Sequence, residues 1–402
     1  MTYRCSQNTQ AALLLSAPLI AGRNGAASDL LAPREFKQLA RSLRERGAEP
    51  GDLLGPNLEG LLSESSSDLD RDRVRRLLDR GFLLGQALER WGTRTIWVIS
   101  RFDPDYPERL RSRLGEDAPA ILYGCGPVTA LESGGLAMVG SRNTTPEILE
   151  YARATAELAA TAGKAVVSGG ARGIDQMAMS GVLEAGGRAV GVLADSLERA
   201  ALDRGNRDFL MTDRLTLISP YDPGAGFNVG HAMHRNKLIY ALSDVALVVN
   251  AEAGQGGSWA GAVEQLEKLR FVPVYVRTRG ELGSGLEALR RKGALSWPEP
   301  DTSSGLCAIF ESEARPVAAM PDGVSDRLAT DRNGEPDEGR ELELVREYFL
   351  AADMPRSEKE LIAAVHLSRP MAQRALKKLI EQGFIERMPK PVRYRLMPDR
   401  LL

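Results

Sequence analysis

The sequence predicts an α/β protein built around a doubly wound, mostly parallel β-sheet. Beyond residue 94, short apolar runs rich in β-branched residues alternate with stretches of helical periodicity, which is typical of a parallel sheet covered on both faces. Polar and glycine-rich turns follow several of these runs, as expected where ligands bind at the carboxyl ends of strands. Of the 402 residues, 43% are hydrophobic, so the chain is globular and long enough for more than one domain.

Four segments are expected along the chain. Residues 1–92 predict a helical domain, because apolar residues recur at helical spacing between Gly and Pro residues. Residues 93–298 contain the alternation of strands and helices that forms the α/β core. Residues 299–339 have the Pro-, Gly-, Ser- and acid-rich composition of a linker. Residues 340–402 predict three helices and two strands, the pattern of a winged helix-turn-helix.

Periodicity also predicts the individual elements. The expected helices of the first segment are Ala11–Pro18, Pro33–Arg46, Asn57–Glu64 and Arg71–Trp91. The expected strands of the core are Thr95–Ser100, Ala120–Tyr123, Gly135–Val139, Lys164–Val167, Arg188–Leu193, Leu215–Ser219, Val245–Asn250 and Val272–Val276. The last segment predicts helices at Glu341–Ala351, Ser357–Val365 and Arg369–Gln382 and strands at Phe384–Met388 and Val392–Leu396.

The most informative turn runs from Ser168 to Asp175, with the sequence Ser-Gly-Gly-Ala-Arg-Gly-Ile-Asp, between a predicted strand and a predicted helix. Its glycines permit close approach of a phosphate or sugar, and the helix N-terminus favours an anion. Arg172 offers a planar, permanently charged fork, and Asp175 can cap the helix or accept hydrogen bonds from a ribose or base. The alternative is a tight turn with a capping Asp in an ordinary α/β domain, and this turn alone does not decide between them.

Four polar loops follow predicted strand ends, and we expect them to converge on one crevice. In open sheets of this type, ligands bind outside the carboxyl ends of the strands where the strand order reverses. The loops are Gly140–Arg142, Ser168–Asp175, the segment before Arg235, and Gly254–Ser258.

The basic residues are balanced overall and clustered in two places. The net charge is −2, so a nucleic-acid surface would have to be local. The Arg71–Gly81 run is basic on one side; a solvated helix face is the default interpretation, and contact with DNA backbone is the alternative. The predicted recognition helix and wing hold eight basic residues against Glu381 and Glu386, which suits phosphate contact, although winged helices also dock proteins. The basic residues are Arg369, Arg374, Lys377, Lys378, Arg387, Lys390, Arg393 and Arg395.

Several classes of protein are not supported by the sequence. Three widely spaced cysteines (Cys5, Cys125 and Cys307) indicate a reducing compartment and argue against a disulfide framework. Three histidines leave little scope for a metal site, so we expect no metal and no cofactor. No apolar stretch is long enough to span a bilayer, and the Ala11–Ala21 run is interpreted as a core helix, so a cytoplasmic location is expected. We find no Ser–His–Asp, Cys–His or paired-carboxylate arrangement, so no catalytic residue is assigned.

Ordered motifs over the core resemble the DprA/Smf family of bacterial DNA-processing proteins. Val139-Gly140-Ser141-Arg142 matches the family's G-S/T-R turn, and Ser168–Asp175 is close to its S-G-x-A-x-G-I-D signature. Arg235-Asn236-Lys237 stands where the family has R-N-R, and Gly257-Ser258 followed by Ala262 is similar to its S-G-S-x-x-T-A segment. Asp103–Pro107 with Ala118–Tyr123 looks like the family's entry to its extended Rossmann domain, and Gly283–Leu286 with Lys292–Ala294 is similar to its closing helix.

The resemblance implies an extended Rossmann domain with a single-stranded DNA pocket, a SAM-like helical domain before it, homodimer formation and loading of a RecA-type recombinase. It also implies a protein that is not an enzyme. Backbone N–H groups and basic side chains would hold phosphates without discriminating sequence. The residues assigned to the pocket are Gly140, Ser141, Arg142, Ser168, Gly169, Gly170, Arg172, Gly173, Asp175, Arg235, Asn236, Lys237, Gly257 and Ser258.

The chain departs from the family pattern in the expected pocket. The family usually has Phe-Pro just before R-N-R, where this chain has Ala232 and Met233, and the family's His after G-I-D is Met179. The lost Phe would be a base-stacking platform, for which Phe227 and His234 are candidate replacements. Some members of the family neutralise a toxin in phage-defence pairs, so a cognate toxin is an alternative partner.

Three functions compete. The first is non-catalytic binding of single-stranded DNA in DNA uptake, recombination or phage defence, with duplex DNA as a second ligand of the winged helix. The second is a nucleotide sensor, since a glycine turn at a helix N-terminus suits any phosphate. The third is a nucleotide hydrolase related to cytokinin-activating phosphoribohydrolases, to whose P-G-G-x-G-T loop Gly254–Ser258 is only weakly similar; Glu252 is the nearest carboxylate.

Overall fold

The computed structural model describes residues 5–19, 29–63, 70–313, 376–380, 385–388 and 393–396. The chain divides into two compact units, Met1–Pro316 and Val317–Leu402. Within the described ranges, no helix combines the length and the apolar character needed to cross a bilayer.

The first unit begins with helices that pack around one buried segment. Residues 11–15 of the first helix are almost fully buried, and Ser6 caps it by accepting a hydrogen bond from the N–H of Thr9 (3.0 Å). A short 3₁₀ turn at Pro50–Leu54 packs against it. The helices are α1 (Gln7–Ser16), α2 (Pro33–Arg44), α3 (Leu58–Ser63), α4 (Arg71–Leu78) and α5 (Gly81–Gly92).

The predicted single helix Arg71–Trp91 is two helices, because the chain turns at Asp79 and Arg80 between α4 and α5. The Arg80 guanidinium donates to the carbonyl oxygens of Leu14 and Ala17 at the end of α1. These carbonyls have no partner within their own helix, so Arg80 satisfies them and fixes the turn. Apolar periodicity continues across the turn and therefore did not reveal it.

A nine-stranded sheet forms the centre of the first unit, in the order β1-β2-β6-β5-β4-β3-β7-β8-β9. All pairs are parallel except β1–β2 and β2–β6. The prediction of a mixed α/β fold with a mostly parallel sheet is confirmed. The strands are β1 (Trp97–Ser100), β2 (Ile121–Cys125), β3 (Leu136–Val139), β4 (Val166–Ser168), β5 (Ala189–Val192), β6 (Leu215–Ser219), β7 (Val245–Val248), β8 (Val274–Val276) and β9 (Leu295–Ser296).

Helices cover both faces of this sheet. Alternate residues of β3 show the division: Leu136 and Met138 join a core with α1 to α5, and Ala137 and Val139 join a core on the opposite face. The N-terminal helices therefore share a core with one sheet face, and the four-domain division remains a prediction. The remaining helices are α6 (Glu108–Leu114), α7 (Pro146–Thr161), α8 (Ile174–Glu184), α9 (Leu197–Leu202), α10 (Arg204–Met211), α11 (Val229–Leu242), α12 (Gly256–Glu264), α13 (Ser284–Arg291) and α14 (Ser303–Glu313).

Two further elements differ from the sequence prediction. The predicted linker contains α14, whose Leu306, Ile309 and Phe310 are buried; the surrounding Pro, Ser and acidic residues masked this apolar spacing. Strand β9 was missed because its two residues, Leu295 and Ser296, are both exposed and form no apolar run.

The strand order reverses beside β3, at the centre of the sheet. From β3 the chain passes to β4, β5 and β6 on one side, and it returns to β7, β8 and β9 on the other side. A crevice opens at the carboxyl ends of strands flanking such a reversal. The loops after β3, β4 and β7 therefore border the same space.

The second unit is described in part. Strands β10 (Ile385–Met388) and β11 (Arg393–Leu396) form an antiparallel pair with Ile385 opposite Leu396. A helical turn at residues 376–380 buries Leu376 and Leu379. The predicted first two helices, and most of the third, lie outside the described residues, so the winged helix-turn-helix remains a prediction.

Candidate functional site

A cavity of about 470 Å³ lies at the carboxyl ends of β3 and β7, where the strand order reverses. Its walls are the loop after β3, the start of α8, the first turns of α11, and the loop leading into α12. Among the sequence-predicted site residues, those that line it are Gly140, Ser141, Arg142, Asp175, Arg235, Asn236, Gly257 and Ser258.

Arg235 on α11 is the buried cation of this cavity. Only 5% of the residue is exposed, and its Nε and Nη1 atoms have no hydrogen-bond partner among the described residues. Burial lowers the pKa of the Arg235 guanidinium, because water is removed from a charge. Buried donors without partners are energetically costly, so this side chain is a candidate for binding an anion that enters the cavity.

Gly169 and Asp175 hold Arg235 in place. A Cβ atom at Gly169 would lie 1.6 Å from Arg235 Nη1, so only glycine lets the guanidinium pack on this turn. Asp175 accepts a hydrogen bond from the N–H of Gly140 (3.3 Å). Burial raises the pKa of Asp175 to about 6, and the opposing attraction of Arg235 keeps the rise limited. Asp175 and Arg235 are therefore both charged at neutral pH. In mildly acidic solution Asp175 binds a proton and becomes neutral.

The rim of the cavity combines a cation with exposed apolar groups. The guanidinium carbon of Arg142 lies 5.1 Å from the centroid of the Phe227 ring. Phe227 is 56% exposed, and Val229 and Met233 beside it are also exposed and line the cavity. From the sequence, Phe227 was expected only as an aromatic replacement and Met233 only as a departure from the family pattern. Val229 was missed, because an apolar residue in a helix predicts burial.

Other predicted residues brace the loops. The Ser258 hydroxyl donates to the carbonyl oxygen of Gly140 (2.7 Å), and the Asn236 side chain donates to that of Gly257 (3.0 Å). Ser168, fully buried, donates to the carbonyl oxygen of Met138 (2.6 Å) and ties β4 to β3. These contacts fix the walls around Arg235.

Six predicted residues lie outside the first cavity's lining. Ser168 and Gly169 are buried and Gly170 is exposed, and none of the three belongs to the lining. Lys237 pairs with Glu264 (3.2 Å). Arg172 and Gly173 line a second cavity of about 580 Å³ at the starts of α7 and α8. Sequence spacing placed all of these residues near the crevice but could not give the direction of each side chain.

The second cavity adjoins the first, because Arg142 and Asn143 line both. Gly173 has φ +93°, and a Cβ there would lie 2.7 Å from the carbonyl oxygens of Ser141 and Arg142, so the two loops meet at this glycine. Within the described residues, Arg142 and Arg172 form no ion pair. Two arginines thus face adjoining spaces without a carboxylate partner in that part of the chain.

A model for the family described as DNA recombination-mediator protein A matches residues 97–302, about half of the chain. The chain belongs to this family. The matched range contains both cavities, all nine strands of the large sheet, and helices α6 to α13.

Two curated relatives match about half of the chain. The DNA processing protein DprA of Bacillus subtilis is 31% identical over 189 residues, covering 46% of this chain and 61% of that protein. Protein Smf of Escherichia coli is 34% identical over 202 residues, covering 49% of this chain and 52% of that protein. The match therefore spans less than two thirds of either relative.

The fold has a solved counterpart within the family. The X-ray structure of DNA processing protein A from Streptococcus pneumoniae matches 69% of this chain and 98% of its own length, with a TM-score of 0.52 and 20% identity. At this identity the likeness concerns the fold alone.

The predicted winged-helix contacts lie outside the matched range. Lys377 and Lys378 are exposed on the helical turn of the second unit, and Arg393 and Arg395 lie on β11. Arg369, Arg374 and Lys390 fall outside the described residues. Among the described residues, no three His, Cys, Asp or Glu side chains are grouped so that they could share a metal ion.

Proposed function

We propose that the protein binds single-stranded DNA in the cavity at the strand reversal, without catalysing a reaction on it, and acts in DNA recombination or uptake. The observation that carries this proposal is Arg235, a buried arginine that lines the cavity with two donor atoms lacking partners among the described residues. Membership of the recombination-mediator family supports the same assignment.

The chemistry of the wall suits a phosphate. A guanidinium binds a phosphate through paired hydrogen bonds, and these are stronger than neutral ones because the groups are charged. Arg142 adds a second cation at the rim, and Arg172 adds a third in the adjoining cavity. None of these groups discriminates among bases, which is the behaviour expected of a protein that binds single strands of any sequence.

The adjoining cavities favour a polymer over a single nucleotide. They share Arg142 and Asn143, so a strand that fills the first cavity can continue into the second across these residues. The loops that separate them are in close contact at Gly173, so such a strand would cross at Arg142 and Asn143. A nucleotide sensor is the second candidate, because a volume of about 470 Å³ accommodates one nucleotide.

The carboxylates of the cavity are assigned structural roles. Asp175 faces Arg235 and accepts from the N–H of Gly140, which suits holding the guanidinium in place. A pKa of about 6 is also suited to proton transfer, so the enzyme alternative needs its own measurement. Glu252 lies on the loop before α12 and lines the same cavity.

The biological partners form a further part of the proposal. A recombination mediator hands single-stranded DNA to a RecA-type recombinase, and we assign that role here together with homodimer formation. Neutralisation of a cognate toxin in phage defence is the alternative role, and duplex DNA is the alternative ligand of the second unit.

The test is fluorescence anisotropy of the full chain with a labelled oligo(dT) strand and with its duplex, at about 50 and 200 mM salt. We expect tighter binding to the single strand, an affinity that falls as salt rises, and no nucleotide turnover in a parallel assay. Failure to bind either form would overturn the proposal. A mononucleotide bound as tightly as the strand would favour the sensor, and hydrolysis would favour the enzyme.

A further inference from the structure

Phe227 stands at the mouth of the cavity in a fixed position. The next residue, Asn228, caps α11 by accepting a hydrogen bond from the N–H of His231 (3.1 Å). Phe227 is thus held at a helix start, with 56% of the residue exposed on a wall shared with Arg142 and Arg235. An exposed aromatic ring close to phosphate-binding cations is the usual arrangement for stacking an unpaired base.

The other aromatic side chains near the cavity do not offer a free ring face. Tyr221 and His231 stack on each other, with 3.7 Å between ring centroids and 10° between planes. Tyr240 is 1% exposed. His234 is not part of the cavity lining. Among the described residues that line the cavity, Phe227 is therefore the aromatic group available to a base.

The guanidinium of Arg142 already lies over the ring of Phe227. Arg142 lies over it at 5.1 Å, an exposed cation–π contact that is weaker than the stacking of a base on an aromatic ring. A base can therefore displace Arg142 from the ring. The displaced guanidinium lies between the two cavities, where a phosphate of the same strand would pass.

We propose that Phe227 is the base-stacking platform of the site, and that Arg142 moves from its ring to a strand phosphate when a base takes its place. The proposal rests on the single-stranded DNA function and specifies the ligand further. The site requires an unpaired base of any identity, and it disfavours duplex DNA because the faces of paired bases are already stacked on their neighbours.

The experiment compares oligo(dT) with an abasic strand of the same length, which keeps every phosphate and lacks every base. Wild type should bind the abasic strand about fivefold more weakly or worse. Phe227→Leu should bind both strands at the abasic level, and Phe227→Trp should restore the preference. Phe82→Leu is the matched control, because Phe82 is 78% exposed on α5, outside the cavity lining, and this change should leave both affinities unaltered.

Two further measurements test whether a base replaces Arg142 on the ring of Phe227. A strand containing 2-aminopurine should lose fluorescence on binding wild type and retain it with Phe227→Leu, since stacking quenches this base. Arg142→Ala should weaken binding of the abasic strand, because the phosphate contact is lost.

With wild type that prefers oligo(dT), either of two results for the variants would overturn the inference. One is an undiminished preference of Phe227→Leu for oligo(dT); the other is abasic binding that Arg142→Ala leaves unchanged. Equal, salt-dependent binding of both strands by wild type would reject Phe227 as the platform and leave the single-stranded DNA function standing. Absence of binding to both strands would reject that function itself.

Discussion

Helix α4 and the cavity both present arginines, but their guanidinium groups are used differently. On α4, Arg73 forms two hydrogen bonds with Glu35 (2.7 and 3.0 Å), and Arg75 pairs with both Glu59 (2.6 Å) and Asp72 (2.5 Å). The positive charge of this helix is largely neutralised by Asp72 on the helix itself and by carboxylates from other parts of the first unit. The interpretation of the run as a solvated face is therefore preferred to contact with DNA backbone.

The arginines of the cavity lack such compensation. Arg235 is buried with two unpartnered donor atoms, and Arg142 and Arg172 form no ion pair within the described residues. Asp175 and, to a smaller extent, Asp195 attract the charge of Arg235, but neither forms an ion pair with it in the part of the chain that the structure describes, and burial raises the pKa of Asp175. A count of basic residues is therefore a poor guide to an anion-binding site. Arginines inside a cavity that form no ion pair are a better guide.

Gly169→Ala should give the largest effect, because it adds a Cβ 1.6 Å from Arg235 Nη1 and forces the guanidinium out of its place. We expect at least a tenfold loss of affinity for oligo(dT) and a loss of stability of roughly 1–3 kcal/mol from overpacking. Anisotropy and urea unfolding measure the two quantities.

Gly85→Ala on α5 is the control for that change. A Cβ there would meet nothing within 4 Å, so the variant should keep its affinity and gain up to about 1 kcal/mol in stability from better helix propensity. Normal affinity of Gly169→Ala would show that the position of Arg235 does not matter for binding.

The cavity, unlike α4, should respond to mildly acidic pH. Protonation of Asp175 near pH 6 removes the negative charge beside Arg235, so the affinity for oligo(dT) should rise roughly three- to tenfold between pH 7.5 and pH 5.5. Asp175→Asn should show the high affinity at both pH values. Anisotropy titrations at fixed ionic strength measure this.

The same group has a predicted effect on stability. Its pKa in the folded protein lies above the ordinary value of 3.8, so its contribution to stability is complete below pH 3.8 and is lost as the pH rises through about 6. Asp175→Asn should therefore unfold at a higher temperature than wild type at pH 7.5. Burial lowers the pKa of His231 and His234 and raises that of Asp222, so a pH response that survives in Asp175→Asn is assigned to these three groups.

The paired arginines should matter for folding and not for binding. Arg73→Ala leaves Glu35 and the carbonyl oxygens of Asp29 and Leu30 without their donor, so stability should fall by about 1–2 kcal/mol in urea unfolding. Arg76→Ala breaks an exposed, longer pair with Asp29 (3.4 Å) and should change stability by less than about 0.5 kcal/mol. A tenfold loss of oligo(dT) affinity in either variant would contradict the distinction between the two regions.

Much of the fold followed from sequence pattern. Apolar β-branched runs located eight of the nine strands of the large sheet, and the polar loops after β3 and β7 do meet where the strand order reverses. The antiparallel pairing of β1 and β2 was not predictable, because a buried apolar run has the same appearance in either orientation. The helix α14 was hidden by the composition around it.

The properties of the site depended on tertiary contacts. The motif named Arg235, yet only the fold shows that its side chain is buried with free donors. The partners of the α4 arginines, Glu35 and Glu59, lie far away in sequence, so the run looked basic until they were placed beside it. Spacing also could not show that Arg172 belongs to a second cavity.

The central claim is that uncompensated charge in the cavity binds the strand, and the most direct test compares Arg235→Ala with Arg75→Ala. Each change removes one guanidinium, from the cavity in one case and from a surface ion pair in the other. The affinity for oligo(dT) should fall about ten- to a hundredfold in Arg235→Ala and stay within about twofold of wild type in Arg75→Ala. Equal losses in both variants, or none in Arg235→Ala with the fold intact by circular dichroism, would contradict the claim.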